Sequence, residues 1–161
     1  MIYIFTHHPN IFKKENILYK IKKNILKDRG PSAVLESLTL GLNKAKIAYS
    51  LNSPLKKMET VHILSGVSAL KWAIDLKRSG YIKELIAGPN LVVTPRDDNS
   101  ILIDKNIDKI LLPSEWTAKF YSSISPEISN KIFIWPAGVK CELTHKKKSE
   151  SLKCLIYKKK Y

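Results

Sequence analysis

Arginine is nearly missing from a strongly basic chain. Of 28 basic residues only Arg29, Arg78 and Arg96 are arginine, against 14 acidic residues and a net charge of +14. Specific base and phosphate recognition favours the planar guanidinium fork over the lysine ammonium. The charge is also unevenly spread: residues 1–30 carry net +5, residues 140–161 net +6, and the 109 residues between them only +3. Nucleic acid is therefore disfavoured as a partner, and solvated lysines are the simpler reading. Cysteine is equally sparse. Cys141 and Cys154 lack paired metal-ligand spacing and read as reduced thiols of a cytoplasmic protein, a disulfide being the unsupported alternative. No apolar run approaches the ~20 residues that span a bilayer. The opening "MIYIFTHHPN" has no basic leader and too short an apolar run for a signal peptide. Three motifs are missing as well: the P-loop, the G-x-G-x-x-G dinucleotide fingerprint and the G-x-S-x-G nucleophile elbow.

What remains is globular. A hydrophobic share of 44% in 161 residues suffices for one domain with a core. Strand and helix signals alternate along it. Residues 2–6, 47–52, 61–66, 84–93, 107–114 and 130–139 read as strands. Residues 11–27, the stretch "PSAVLESLTLGL" and "SALKWAIDLKRSG" read as helices. Pro31 and Ser32 suit a first helical turn, Ser68 a helix cap, and Gly80 a helix end. Ser114 caps "EWTAKFYSSI", and residues 100–106 read as a short helix. Mostly continuous apolar strands between helices predict an α/β fold: a Rossmann-like parallel sheet with helices on both faces. The helix at 11–27 has two readings, a surface helix packed by Ile17, Leu18, Ile21 and Ile25, or a lysine-covered helix on an anionic membrane.

Small and polar residues gather at the carboxyl ends of the predicted strands, where open parallel sheets bind ligands. Ser65-Gly66 follows one strand. In "LIAGPNLVV", Gly88-Pro89-Asn90 breaks another, because proline donates no ladder hydrogen bond. Ser114-Glu115 follows a third and Gly138 a fourth, and Gly30 precedes a helix start that could face an anion. Gly30, Ser65, Gly66, Gly88, Pro89, Asn90, Ser114, Glu115 and Gly138 are thus the candidate cleft residues. His7-His8 fits either a metal site or polar residues closing a strand. Asp97-Asp98 fits a cation site or loop chemistry, and His62 in an apolar strand reads as a satisfied core histidine.

Three runs carry a resemblance: "VHILSGVSALKWAIDLKRSGYIKELIAGPNLVVTP", "IDKILLPSEWTAKFY" and "KIFIWPAGVKCE". With "RGPSAVLESLTLGLNKAKIAYSLN" they resemble the N-terminal domain of a GT-B glycosyltransferase over roughly residues 30–141. Pro113-Ser114 before a helix and Pro136-Ala137-Gly138-Val139 before the crossover are the most telling pieces. The resemblance implies one domain of a two-domain enzyme. Residues 1–139 would be the acceptor-side Rossmann-like domain, 140–151 a basic linker, and 152–161 the first strand of a C-terminal domain that binds the nucleotide-sugar donor. The acceptor would be a glycan or a lipid-linked sugar, the cleft residues above would line the site, and no cofactor is implied, since many members need no metal. The catalytic residue stays open between Glu115 and a cleft histidine. Pro31 follows Gly30 where the family pairs glycines, which removes one phosphate-facing N–H. Without the second domain the chain is expected to be inactive alone. Two rivals stand beside this reading: a non-catalytic glycan-binding module, and a basic protein of membrane or nucleic-acid surfaces.

Overall fold

A computed structural model describes residues 1–9, 31–55, 57–91 and 93–136. The expected helix at 11–27, the linker, the final strand, both cysteines, Gly30 and Gly138 lie outside the described residues. The described elements run β1 (Ile2–Phe5), α1 (Pro31–Lys44), β2 (Tyr49–Leu51), β3 (Met58–Ser65), α2 (Val67–Arg78), β4 (Ile82–Asn90), β5 (Lys109–Leu112), α3 (Glu115–Ile124) and β6 (Ile132–Ile134). Two 3-10 turns, Asp98–Ile103 and Pro126–Lys131, lead into β5 and β6.

All six strands are parallel, in the order β2-β1-β3-β4-β5-β6. The first five positions follow one of the two common doubly wound orders, extended here by a sixth strand. The α/β fold with a Rossmann-like sheet is therefore as expected. The sheet is buried on both faces at its centre: Val61, His62, Ile63 and Leu64 of β3 are consecutive and all buried, the pattern of a strand covered on two sides.

Strand alternation sorts the core. Tyr3, Phe5, Val61, Ile63, Leu85 and Ala87 pack on one face with Ala69, Leu70, Ala73 and Ile74 of α2, Ile101 and Leu102 of the first 3-10 turn, and Tyr121 of α3. Ile4 and Leu64 point to the other face, against Leu42, Val34, Leu35 and Leu38 of α1. The helices change sides because the chain moves one way from β1 to β2 and the other way from β3 onward, while crossovers keep one hand. On α2, Lys77 extends the apolar stripe and pairs with Asp108.

The structure departs from the sequence expectations in four places. The strand at 84–93 is not broken by Gly88-Pro89-Asn90. It runs unbroken from Ile82 to Asn90, with a cis Gly88-Pro89 bond inside it. The register explains why proline is tolerated there. Ile63 pairs with Ala87 but Ser65 with Asn90, so β4 bulges by one residue where Pro89 lies. Second, α2 begins at Val67, so Ser68 lies inside the helix and Gly66 is the cap residue, with φ +89° and no side-chain cap bond. A Cβ at Gly66 would stand 3.6 Å from the Thr6 carbonyl oxygen, and glycine tolerates this left-handed φ without strain. Third, the helix expected at 100–106 is the 3-10 turn Asp98–Ile103. Fourth, the last strand is only Ile132–Ile134, preceded by a 3-10 turn that Pro126 opens.

Candidate functional site

The strand order reverses at β1. On one side β1 leads to β2, and on the other it pairs with β3, from which the chain proceeds outward to β6. Crossovers leave β1 and β3 for opposite faces, so a crevice opens outside their carboxyl ends.

Thr6 is the hub of this edge. Its backbone N–H donates to Asn52 Oδ1 at 2.9 Å, and Asn52 Nδ2 lies 3.3 Å from its hydroxyl. Its Oγ1 shares a 2.8 Å hydrogen bond with His7 Nδ1. Its carbonyl accepts a 2.8 Å bond from the Ser65 hydroxyl. Asn52 sits just past β2 with φ +51°, a backbone region asparagine enters more readily than most residues. One residue thus ties together the carboxyl ends of β2, β1 and β3. Gly66 follows Ser65 and opens the N-terminus of α2, whose first N–H groups have no helical acceptor. His8, next to His7, meets the Trp72 ring edge-on at 6.0 Å.

The next strand adds an amide. Asn90 is in register with Ser65. Its Nδ2 is buried and has no hydrogen-bond partner among the described residues. A buried donor without an acceptor costs roughly 1–3 kcal/mol, which a ligand oxygen would offset.

The remaining expected cleft residues are placed differently. Gly88 is buried in the sheet, facing the Leu111 carbonyl. Pro89 lies half-buried in the bulge of β4. Ser114 uses its hydroxyl to cap α3, accepting from Thr117 N at 3.2 Å and meeting Thr117 Oγ1 at 2.9 Å. Glu115 is exposed in the first turn of α3, where the helix dipole favours a carboxylate. The structure therefore gathers Ser65, Gly66 and Asn90 at the crevice and leaves Ser114 and Glu115 one strand further along the same edge.

Other titratable groups are accounted for by the fold. His62 is 4% exposed, and its Nε2–H donates to the Gly88 carbonyl at 2.7 Å. Burial pushes its pKa below the ordinary value, partly opposed by that bond. The Asp97 carboxylate accepts from Thr94 N at 2.8 Å, and that bond holds it below the usual range. Asp98 pairs with Lys71 at 2.8 Å. Asp97 thus has a partner within its own loop and Asp98 one on α2, and Lys71 and Asp98 line an open groove of about 570 Å³ between α2 and the first 3-10 turn. Arg78 closes the groove's other end by bonding Asp104 and Asp75. Among the described residues no three His, Cys, Asp or Glu side chains group to hold a metal.

Thr6 and Asn52 were not among the residues the sequence singled out. Their signal was weak but present: each is the polar residue that closes an apolar strand. Only the strand order makes them neighbours. Comparison of the chain with protein-family models, with curated proteins and with solved structures finds no match.

Proposed function

We propose that this chain is the acceptor-side half of a glycosyltransferase that moves a sugar from a nucleotide-sugar donor to a glycan or lipid-linked acceptor. The observation that carries the reading is the polar crevice at the carboxyl ends of β1 and β3, built from Asn52, Thr6, His7, Ser65 and Gly66. A two-domain enzyme of the GT-B kind works across such an edge, with the donor on the facing domain. The sequence resemblance over residues 30–141 supports the same assignment.

In this reading Ser65 and Asn90 are hydrogen-bonding residues for acceptor hydroxyls. The N-terminus of α2 favours the negative charge that builds up on a departing diphosphate. His7, whose Nδ1 shares a hydrogen bond with the Thr6 hydroxyl at this edge, is the candidate base for the acceptor hydroxyl. Glu115 remains the alternative. The protein would act as a cytoplasmic enzyme.

The test is transfer. The natural protein is incubated with a panel of nucleotide sugars and with glycan and polyprenyl-phosphate-sugar acceptors, and products are read by mass spectrometry. A sugar-mass increment on an acceptor, strongly reduced by His7→Ala and by Asn90→Ala in folded protein, supports the reading. Inactivity across the panel together with no acceptor binding would overturn it. Acceptor binding without transfer would instead support a glycan-binding module, a reading favoured by the way Thr6, Asn52 and Ser65 already bond one another.

A further inference from the structure

His62 is a buried imidazole in the middle of the sheet. Its hydrogen bond goes to the next strand, where the Gly88 carbonyl accepts from Nε2–H at 2.7 Å. Gly88 stands where β4 leaves register. Ala87 is matched to Ile63 of β3 and to Ile110 of β5, but neither strand has a residue in register with Gly88 or Pro89. Register with β3 resumes at Asn90, opposite Ser65. The ring therefore fastens the bulge at the point where the ladder lets go of it. Two residues past the fastened carbonyl is the Asn90 Nδ2 group, buried and without a hydrogen-bond partner among the described residues.

We propose that His62 is the positioning residue of the crevice: its neutral ring clasps the bulge of β4 and keeps Asn90 beside Ser65, and protonation of the ring opens the clasp. The second ring nitrogen makes the clasp sensitive to protons. With Nε2–H donated to a carbonyl, the neutral ring has its lone pair on Nδ1. A proton there adds a charge to a buried ring and creates an N–H for which no described residue is the acceptor. Burying a charge without a partner is costly, so the charged ring favours any arrangement that lets water reach it.

The surroundings do not offset that charge. In register with His62 on its own sheet face are Ile4 of β1 and Ile86 of β4, and the Trp135 ring meets the imidazole edge-on at 6.1 Å. Helix α1 packs on this face through apolar side chains, and its Glu36 and Lys44 are exposed. Glu84 of β4 and Lys109 of β5 share the face but pair with one another at 2.8 Å. The Tyr49 phenol of β2 lies at the edge of the cluster, and His7, beyond the end of β1, is bonded to Thr6. Burial lowers the His62 pKa, opposed in part by the Gly88 bond. The ring thus takes up its proton more readily once wetted, so acid favours the open clasp and neutral pH the closed one. The described pairing of β4 with β5 ends at Ala87, which makes residues 88–90 the least paired part of the sheet beside the ring. The consequence for ligands rests on the reading of the crevice as a binding site, whereas the clasp is measured on the unliganded protein, so the two fail separately.

Heteronuclear NMR of the isotope-labelled natural protein, on descending from neutral pH, tests it. The backbone signals of Gly88 and Asn90 and the side-chain amide of Asn90 should move with one midpoint, that of the His62 ring, below about 6.5. The amide of Leu35 should stay in place. His62→Gln keeps an N–H donor that does not titrate, and should hold Gly88 and Asn90 at their neutral-pH positions throughout. His62→Leu has no donor and should show them displaced at every pH; where that variant fails to fold, the titration of the natural protein decides. Movement of Ile4 and Leu64 as large as that of Gly88 and Asn90, which a buried charge alone would cause, overturns the proposal. So does a pH shift retained in His62→Gln, an unmoved Asn90 in folded His62→Leu, or collapse of all signals together before Asn90 has moved.

Discussion

Replacing Gly88 with alanine tests the account of β4 most directly. Gly88 has φ +100°, where an L side chain is strained, which costs roughly 1–2 kcal/mol. There is also no room. The new Cβ would overlap the carbonyl oxygen of Leu111 and stand 3.2 Å from its carbon. Those are backbone atoms of the adjacent strand, so relief requires β4 and β5 to separate, at a further cost of about 1–3 kcal/mol. That movement would disturb the pairing of Ile86 with Lys109 and of Ala87 with Ile110, and the carbonyl that holds His62. Gly88→Ala should therefore lose about 2–5 kcal/mol, a large part of a stability of order 5–15 kcal/mol. The assay is urea unfolding followed by tryptophan fluorescence and circular dichroism. Gly41→Ala is the paired control: a Cβ there meets nothing within 4 Å, and in α1 it should stabilise by about 0.5–1 kcal/mol. A Gly88→Ala protein within about 0.5 kcal/mol of the parent would refute the reasoning, because it would mean that β4 does not approach β5 as described.

Three other outcomes are expected. The folded pKa of His62 is lowered, so at neutral pH it is uncharged in both states and costs nothing. Below its unfolded value of about 6.5 the unfolded chain takes up the proton first, and stability falls by up to about 1.4 kcal/mol per pH unit; urea midpoints on descending from neutral pH should show this slope, and His62→Gln should remove it. Ser114→Ala removes the bond to Thr117 N and should cost about 1 kcal/mol, read as a lower thermal midpoint, with Ser114→Thr retaining most of it. Asn52→Ala leaves the Thr6 N–H without its acceptor and should cost about 1–2 kcal/mol, with faster hydrogen exchange at Thr6 than at Ile63 as its signature.

Much of the layout could be read from local pattern. The apolar runs of β3 and β5 and the spacing of Leu70, Ala73 and Ile74 are period signals that neighbours need not confirm. Ser114 followed by Glu115 is a cap signal that the structure honours. The misreadings have one physical origin. Gly88-Pro89 looks like a turn when only its own strand is considered, yet a bulge opposite Ser65 and the close approach of Leu111 make it a strand residue pair. Ser68 is the better cap by side chain, but the boundary residue takes φ +89°, a conformation that favours a glycine there instead. The crevice was half legible. Ser65, Gly66 and Asn90 follow from the rule that strands end at sites, whereas Thr6 and Asn52 join them only through a strand order that no local signal encodes.

That strand order also bears on how the chain reaches its fold. From β3 to β6 each strand pairs with the next one in sequence, Met58 with Ile82, Ile86 with Lys109, and Ile110 with Ile132. Each step closes a loop of similar, moderate length. β1 is different: Ile2 must find Thr60 on one side and Tyr49 on the other, closing the longest loop in the sheet. Loop closure costs entropy before the contact repays it. Residues 58–136 are thus the part able to assemble first, with β1 inserting late between β2 and β3. The crevice exists only once that insertion is complete, so among the described strands the candidate site depends on the most costly loop closure.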